Sequence, residues 1–345
     1  MATGNKDNFV IYQDGFQTGA LEVLEQEVGV LNAGPRGIVI VTENTRGEYL
    51  ESAFFTNVDG LVSDRDPSSL AAVTPTGLNQ QNVKDILVNY KIGPHADTLD
   101  AFRKISESPD LMSYLLGQMA GAQLAERYLN GGLGALVAAM STETGMVLDT
   151  RVAGGATTNP VAGKTSISVR ALNFALGLMG DKRSRVRMWV MPSAVHTELL
   201  DNQVVEKLGE VSGSIIYGGA PGTYGLPAFV TDSPALTFEQ DVSVAQDDSA
   251  LVTRHRVLGL TEQALVIQEQ SYFDMATEIK TGGENIVAQW QGESSYLVRV
   301  KGFSWTGSNA PTTGQLATDT NWSYVFQSVK AGPGVMLVVD DIDAA

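Results

Sequence analysis

The stretch from Gly180 to Gln203, GDKRSRVRMWVMPSAVHTELLDNQ, constrains this chain more than any other. Lys182, Arg183, Arg185 and Arg187 put four cations into six residues of a chain whose net charge is −16. A short apolar strand, Met188 to Met191, follows them. Pro192 and Ser193 then open an amphipathic helix. The order is cationic rim, buried strand, turn, helix, with no catalytic residue in it. Such a segment reads as architecture rather than chemistry.

A chain of 345 residues can bury a large core and hold one elaborated domain or two to three subdomains. Its 36 glycines suit a fold with many turns and close backbone approaches. Cysteine is absent, which excludes disulfides, thiolate-bound metals and thiol nucleophiles. The first residues lack the charged-then-apolar pattern of a secretory signal, and no long apolar run occurs. These features predict a chain folded in a cytoplasm, without a membrane partner. The 39 acidic against 23 basic residues argue against nucleic-acid binding driven by counterion release. They do not exclude DNA as a confined neighbour, and excess carboxylate keeps a concentrated protein soluble.

Residues 1–36 are mixed, with a short helix predicted over Ala20–Val28 before Asn32-Ala-Gly-Pro-Arg-Gly37 breaks it. This reads as an extended arm that needs a partner to order it. Strands are predicted at Ile38–Thr42, Glu48–Phe55 and Val83–Tyr90. The polar span of about 27 residues between the last two is too long for an ordinary connection and reads as a protruding functional loop. A helical pattern at Leu99, Phe102 and Ile105 precedes Ser108-Pro109, which starts a long helix expected to end near Gly131-Gly132. Leu133–Met140 is a possible extension of it, and Ser166–Met179 is helical by spacing. Later strands are predicted at Ser214–Tyr217, Ala228–Thr231, Ala250–Thr253, Ala264–Gln268, Tyr296–Trp305 and Val335–Val339. A glycine-rich loop over Gly218–Gly225 lies among them, and an acidic tail with Asp340, Asp341 and Asp343 ends the chain.

Several motifs imitate active sites. Gly163-Lys164-Thr165 with the late Val335–Asp340 strand suggests a phosphate-binding loop and a Mg²⁺-holding aspartate. That loop's first glycine is replaced by Thr158, and Pro160 removes an amide that would face phosphate. His95, His196 and His255 stand in separate segments without metal-ligand spacing. No nucleophile elbow occurs. Asp247, Asp248 and the C-terminal aspartates lie in polar stretches and are expected to be solvated. No catalytic, cofactor-binding or metal-binding residue is assigned, and no cofactor is implied. The cationic run has three readings: a solvated loop, a phosphate or DNA contact, or a subunit interface meeting acidic neighbours. The interface is favoured, because complementary patches set register between like-charged copies.

The order of these pieces resembles a known family. Ala53-Phe54-Phe55, Gly60-Leu-Val-Ser63 and Asp66 are followed by Lys91-Ile-Gly-Pro94 and Thr98-Leu-Asp-Ala-Phe-Arg-Lys104. Trp189-Val-Met191, Ser193 and His196 come next, then Gly222-Thr223, Gly225, Pro227 and Val230-Thr-Asp232. Lys301-Gly-Phe303, Trp305, Leu316-Ala-Thr318 and Asn321-Trp322 complete the series. Spread over nearly the whole chain, this set resembles the major capsid proteins of tailed bacteriophages with the HK97-type fold.

The resemblance implies an α+β chain with an N-terminal arm at 1–36 and an E-loop with flanking strands at 37–92. It implies a peripheral domain with a spine helix at 93–144 and an axial domain at 145–270. Return strands of the peripheral domain and a tail would occupy 271–345. Its function would be self-assembly into hexamers and pentamers of an icosahedral shell around double-stranded DNA, touched without sequence specificity. Scaffolding, portal and decoration proteins would be further partners. Candidate subunit contacts are Arg46, Glu48, Asp64, Arg65 and Asp66 in the E-loop region, with Lys182, Arg183, Arg185 and Arg187 in the axial domain. Some relatives join a Lys to a neighbour's Asn; Lys6, Lys84 and Lys91 sit in no matching motif, so that chemistry is not carried over. An encapsulin-type compartment is the rival of the same fold, and a P-loop nucleotide-binding enzyme the rival of another class.

Overall fold

The computed structural model describes residues 6–33, 36–43, 47–55, 67–68, 80–98, 109–151, 165–210, 223, 225–241, 251–270 and 274–341. Helix α1 (Lys6–Ala33) leads to strands β1 (Ile38–Thr42), β2 (Tyr49–Phe55) and β3 (Gln80–Thr98). Helix α2 (Pro109–Ser141) and strand β4 (Val147–Asp149) follow, then α3 (Val169–Leu178), a 3-10 turn (Gly180–Arg185), β5 (Val186–Met191) and α4 (Ser193–Glu210). Strands β6 (Ala228–Val230), β7 (Thr237–Asp241), β8 (Leu251–Thr261), β9 (Leu265–Glu269), β10 (Asp274–Lys280), β11 (Val287–Val300) and β12 (Phe303–Trp305) come next. A single-turn helix α5 (Thr313–Leu316), β13 (Trp322–Tyr324) and β14 (Gly334–Asp340) close the chain.

Two sheets result. The first runs β1-β9-β11-β3-β2, with β10 added along β11. The second runs β4-β14-β8-β5-β6, with β7 paired to β8. Helix α2 serves both. Its 33 residues span about 50 Å at the α-helical rise. Leu124, Tyr128, Leu133, Leu136 and Met140 pack with Ile267, Tyr296 and Val298 of the first sheet and with Met188, Val190, Leu258 and Met336 of the second, in one core. The opposite face of the second sheet buries Trp189, Met191, Val257 and Leu337 against Ala171, Leu172 and Leu176 of α3 and Val195 and Leu199 of α4. Strand β5 therefore alternates between two cores, as a period of two requires.

The expected helix end at Gly131-Gly132 is not an end. A Cβ on Gly131 would lie 2.6 Å from Tyr296 Oη, and one on Gly132 would lie 2.7 Å from Ile267 Cδ1. The glycine pair bares the helix backbone so that the sheet can lie against it, and α2 continues to Ser141. There Ser141 Oγ donates to Val137 O and Thr142 Oγ1 to Ala139 O, both at 2.8 Å, and these local bonds close the helix.

The N-terminal segment also differs from the expected extended arm. It forms a 28-residue helix, with Phe16 and Leu24 buried. Glycines again explain the contact: a Cβ on Gly19 would collide with Tyr114 O, and one on Gly117 with Phe16 O. Gly19 and Gly117 thus open the surface along which α1 and α2 approach backbone to backbone. Beyond the crossing, Asn32 accepts from Ile40 N (3.0 Å) and donates to Ile40 O (2.6 Å), covering part of the exposed edge of β1.

Strand β1 matches its expected bounds, while β2 and β3 form a long antiparallel ribbon, registered from Tyr49↔Ile86 to Phe55↔Gln80. Most of the predicted protruding loop lies outside the described residues, as do the helical pattern at 99–107, the strand at 214–217 and most of the 218–225 loop. Gly163, Lys164, Asp247, Asp248 and Asp343 lie outside them too.

Replacing Gly117 with Val is expected to destabilise the unassembled subunit by about 1–3 kcal/mol, the usual cost of overpacking a close contact. The checks are a urea melt and limited proteolysis. Cleavage within residues 6–33 should accelerate if this crossing holds α1.

Candidate assembly surface

The cationic turn grows from the end of α3. Ser168 caps that helix, its Oγ accepting from Ala171 N at 3.1 Å. At the other end Gly180 takes φ 53°, a conformation few side-chain-bearing residues adopt, and the chain turns into the 3-10 segment. Lys182, Arg183, Arg185 and Arg187 are all exposed. The strand beneath them is buried apart from Arg187, so backbone pairing with β8 fixes where the cations emerge. Helix α4 begins at Ser193, whose amide donates to Asp232 Oδ1 at 2.9 Å. That bond holds the Asp232 carboxyl below the usual carboxylate range.

Two of the four cations share a cleft. Arg185 and Arg187 line a cleft of about 320 Å³ together with Thr261, Glu262, Lys301, Lys330 and Gly332. Lys182 and Arg183 do not line it. Lys330 Nζ reaches Asp181 Oδ1 at 2.7 Å across the exposed rim. Lys301 Nζ donates to Glu262 O at 2.9 Å. Sequence reading missed Lys301 and Lys330 because they stand alone in their segments, far along the chain, and only the β5–β8 pairing and the turn before β14 bring them to Arg185.

Of the E-loop candidates, Glu48 is exposed at the start of the β2–β3 ribbon, where its carbonyl accepts from Leu87 N at 3.1 Å. Arg46, Asp64, Arg65 and Asp66 lie outside the described residues. The two groups of candidates are therefore not brought together among the described residues.

One carboxylate expected in solvent is buried. Asp340 is fully enclosed at the end of β14, where Arg254 Nε donates to its Oδ1 at 2.7 Å and Arg151 Nε pairs with its other oxygen. Arg254, itself 1% exposed, also pairs with Asp149 and donates to Gln240 Oε1 at 2.7 Å. This network joins β4, β7, β8 and β14. The acidic look of the tail hides it, because a buried arginine partner lies elsewhere in the sequence. The histidines stay apart: His95 stacks on Trp290 with ring centroids 5.0 Å apart, His196 is on α4, and His255 Nδ1 meets Thr237 Oγ1 at 3.1 Å. Among the described residues no group of three or more His, Asp or Glu is placed to hold a metal ion.

A half-buried carboxylate sits under α1. Glu269, at the end of β9, borders a cavity of about 370 Å³ lined also by Leu24, Val28, Tyr90 and Ser294. Tyr128 Oη donates to it at 3.4 Å and is in turn 2.8 Å from Tyr90 Oη. Burial pushes the Glu269 carboxyl up to about 7, and the Tyr128 hydroxyl opposes this only in part. No helix of the described residues is long and apolar enough to cross a membrane.

An arm helix laid on a spine helix, a long two-stranded ribbon ahead of it, and a second sheet capped by its own helices define a class, the HK97-type capsid proteins. The capsid of Ralstonia phage GP4 shares this fold with a TM-score of 0.51 at 12% identity, covering 90% of this chain and 88% of that one. The Cyanophage Pam1 capsid asymmetric unit gives 0.51 at 12% identity over 90% of each chain. A chain from Mycobacterium phage Adephagia gives 0.50 at 9% identity, over 88% of this chain and 87% of that one. No curated protein matches the sequence. The sequence model of the Gp13-like family, described as major capsid protein 13-like, matches residues 8–336, and this chain belongs to that family of phage major capsid proteins.

Two measurements test the buried groups. Arg254→Met leaves Asp149 without its buried guanidinium and Asp340 with Arg151 alone; breaking such a pair costs about 3–5 kcal/mol, read as a lower urea midpoint. For Glu269 the raised value means that between about pH 4.5 and pH 7 the folded state holds a proton the unfolded chain has released. Its contribution is therefore undiminished below pH 4.5 and falls as pH rises through about 7. Glu269→Gln should remove that decline and stabilise the subunit at pH 8 by about 1–3 kcal/mol, in urea melts across the range.

Proposed function

We propose that this major capsid protein builds an icosahedral shell of hexamers and pentamers around double-stranded DNA, using its outward-facing charged surfaces to set register between copies. Family membership carries the reading. The fold supports it, because exposed cations on a rigid strand and an extended ribbon suit contacts between chains rather than chemistry within one. In this reading residues 1–36 act as the arm, now helical, 37–92 as the E-loop region, and 93–144 with 271–345 as the peripheral domain. Residues 145–270 form the axial domain around the capsomer centre. Lys182, Arg183, Arg185 and Arg187 contact one neighbour, and Arg46, Glu48, Asp64, Arg65 and Asp66 contact another.

The protein acts as a structural element without catalysing a reaction. Scaffolding, portal and decoration proteins join it during assembly in the host cytoplasm, and packaged DNA is touched without sequence readout. An excess of 16 negative charges limits adhesion between shell and DNA wherever carboxylates face inward. Expression of the full chain followed by negative-stain microscopy tests the reading. Shells, or rings of five and six, are expected; a discrete monomer that binds ATP would overturn it.

A further inference from the structure

Two surfaces of opposite charge stand on different parts of the chain. The first is the cleft formed where β5, the β8–β9 turn, the β11–β12 turn and the turn before β14 converge. It gathers Arg185, Arg187, Lys301 and Lys330 around one lining carboxylate, Glu262. Asp181 on the rim engages Lys330. Burial and the nearby Arg185 hold the Lys301 ammonium below the usual lysine range, with Glu262 opposing them. The cleft thus carries more positive charge than its own chain compensates.

The second surface is the ribbon of β10 and β11 at the far end of the first sheet. Asp274, Glu278 and Glu293 line a shallow concavity of about 470 Å³, with Met275 and Trp290 as apolar lining. Asp274 and Glu293 are directly opposed in the strand register, a like-charge pairing that normally destabilises a ribbon. All three carboxylates are exposed. Lys280 of β10 is engaged with Gln289, and Gln291 donates to Glu293. Among the described residues no ion pair engages Asp274, Glu278 or Glu293.

We infer that the Arg185–Arg187–Lys301–Lys330 cleft is an intersubunit site that takes the Asp274–Glu278–Glu293 ribbon of a second copy of this chain. The arginines present planar forks suited to carboxylates, and their length lets them enter the ribbon's concavity. The contact is heterologous, one patch against a different patch on the next copy, which is the geometry that closes into rings. A carboxylate partner is favoured over nucleic acid because each further copy presents Asp274, Glu278 and Glu293 together on one rigid ribbon, so the local charge complementarity recurs with every subunit added. The inference rests on the shell-forming reading and adds to it which two surfaces meet.

Charge reversal in the full chain tests it. Arg185→Glu with Arg187→Glu, and separately Glu278→Lys with Glu293→Lys, should each lower the particle yield at least tenfold in 0.15 M salt. Because all four side chains are at the surface, the melting temperature of the soluble subunit should not fall, and Glu293→Lys, which replaces the like-charge pairing with Asp274, should if anything raise it. Combining the four substitutions should restore particles to within twofold of wild type. As a second readout, the cysteine-free chain carrying Arg187→Cys and Glu278→Cys should give a ladder of disulfide-linked multimers from oxidised particles, and neither single variant should. Variants that assemble like wild type, a combination that fails to rescue, or oxidised particles without a ladder would overturn the inference. So would an Arg185→Glu/Arg187→Glu variant that assembles normally but retains less DNA, which assigns the cleft to nucleic acid. Failure of the wild-type chain to form any particle counts instead against the shell-forming reading.

Discussion

The close approach of backbones along α2 is the constraint on which the other elements depend. Gly117 lets α1 lie against the N-terminal part of the helix, Gly131 and Gly132 let the first sheet lie against its middle, and its C-terminal part buries Leu136 and Met140 beside the second sheet. One helix thereby ties α1 and the two six-stranded sheets into a single core. Glycine normally weakens a helix interior by about 1 kcal/mol per residue. Here the loss of propensity is offset by contacts that any side chain would block, so the helix depends on tertiary packing for its full length.

Charge is sorted by the same framework. Buried ions are matched within the chain: Arg254 with Asp340 and the half-exposed Asp149, and Asp85 with the half-exposed Arg299 at 2.6 Å across β3 and β11. Two exposed regions are dominated by one sign, with cations outnumbering carboxylates in the cleft beside β5 and three carboxylates lining the β10–β11 concavity. Buried pairs of this kind add little net stability but are costly to break, so they hold strand positions. Exposed patches of one sign contribute little to a monomer and become useful when another surface supplies the opposite sign. The arrangement fits a protein whose copies must meet in a fixed register.

Much of the fold is legible in the residues themselves. Pro109 at the first turn of α2, the β-branched run of β1 and the strand-to-helix order after Gly180 stand where local patterning places them, because each is decided within a few residues. The N-terminal helix and the end of α2 were not legible, since in each case glycines act as contact surfaces for elements distant in sequence. The same holds for charge. Asp340 looks like part of a solvated tail until Arg254 and Arg151 are placed beside it. The four-cation run looks like one cluster until the fold adds Lys301 and Lys330, from distant segments, to Arg185 and Arg187 in the cleft.

The sequence by itself determined the class of protein: an acidic, cysteine-free α+β chain, free of catalytic motifs, whose ordered segments match capsid proteins along nearly its whole length. Those properties are local or compositional, and they survive without knowledge of any contact. Only the tertiary structure decided which glycines are close contacts rather than breaks, which aspartate is buried, and which cations share a cleft. Each of these is a distance between groups far apart in the chain, and such distances arise from packing two sheets on one helix rather than from the pattern of any single segment.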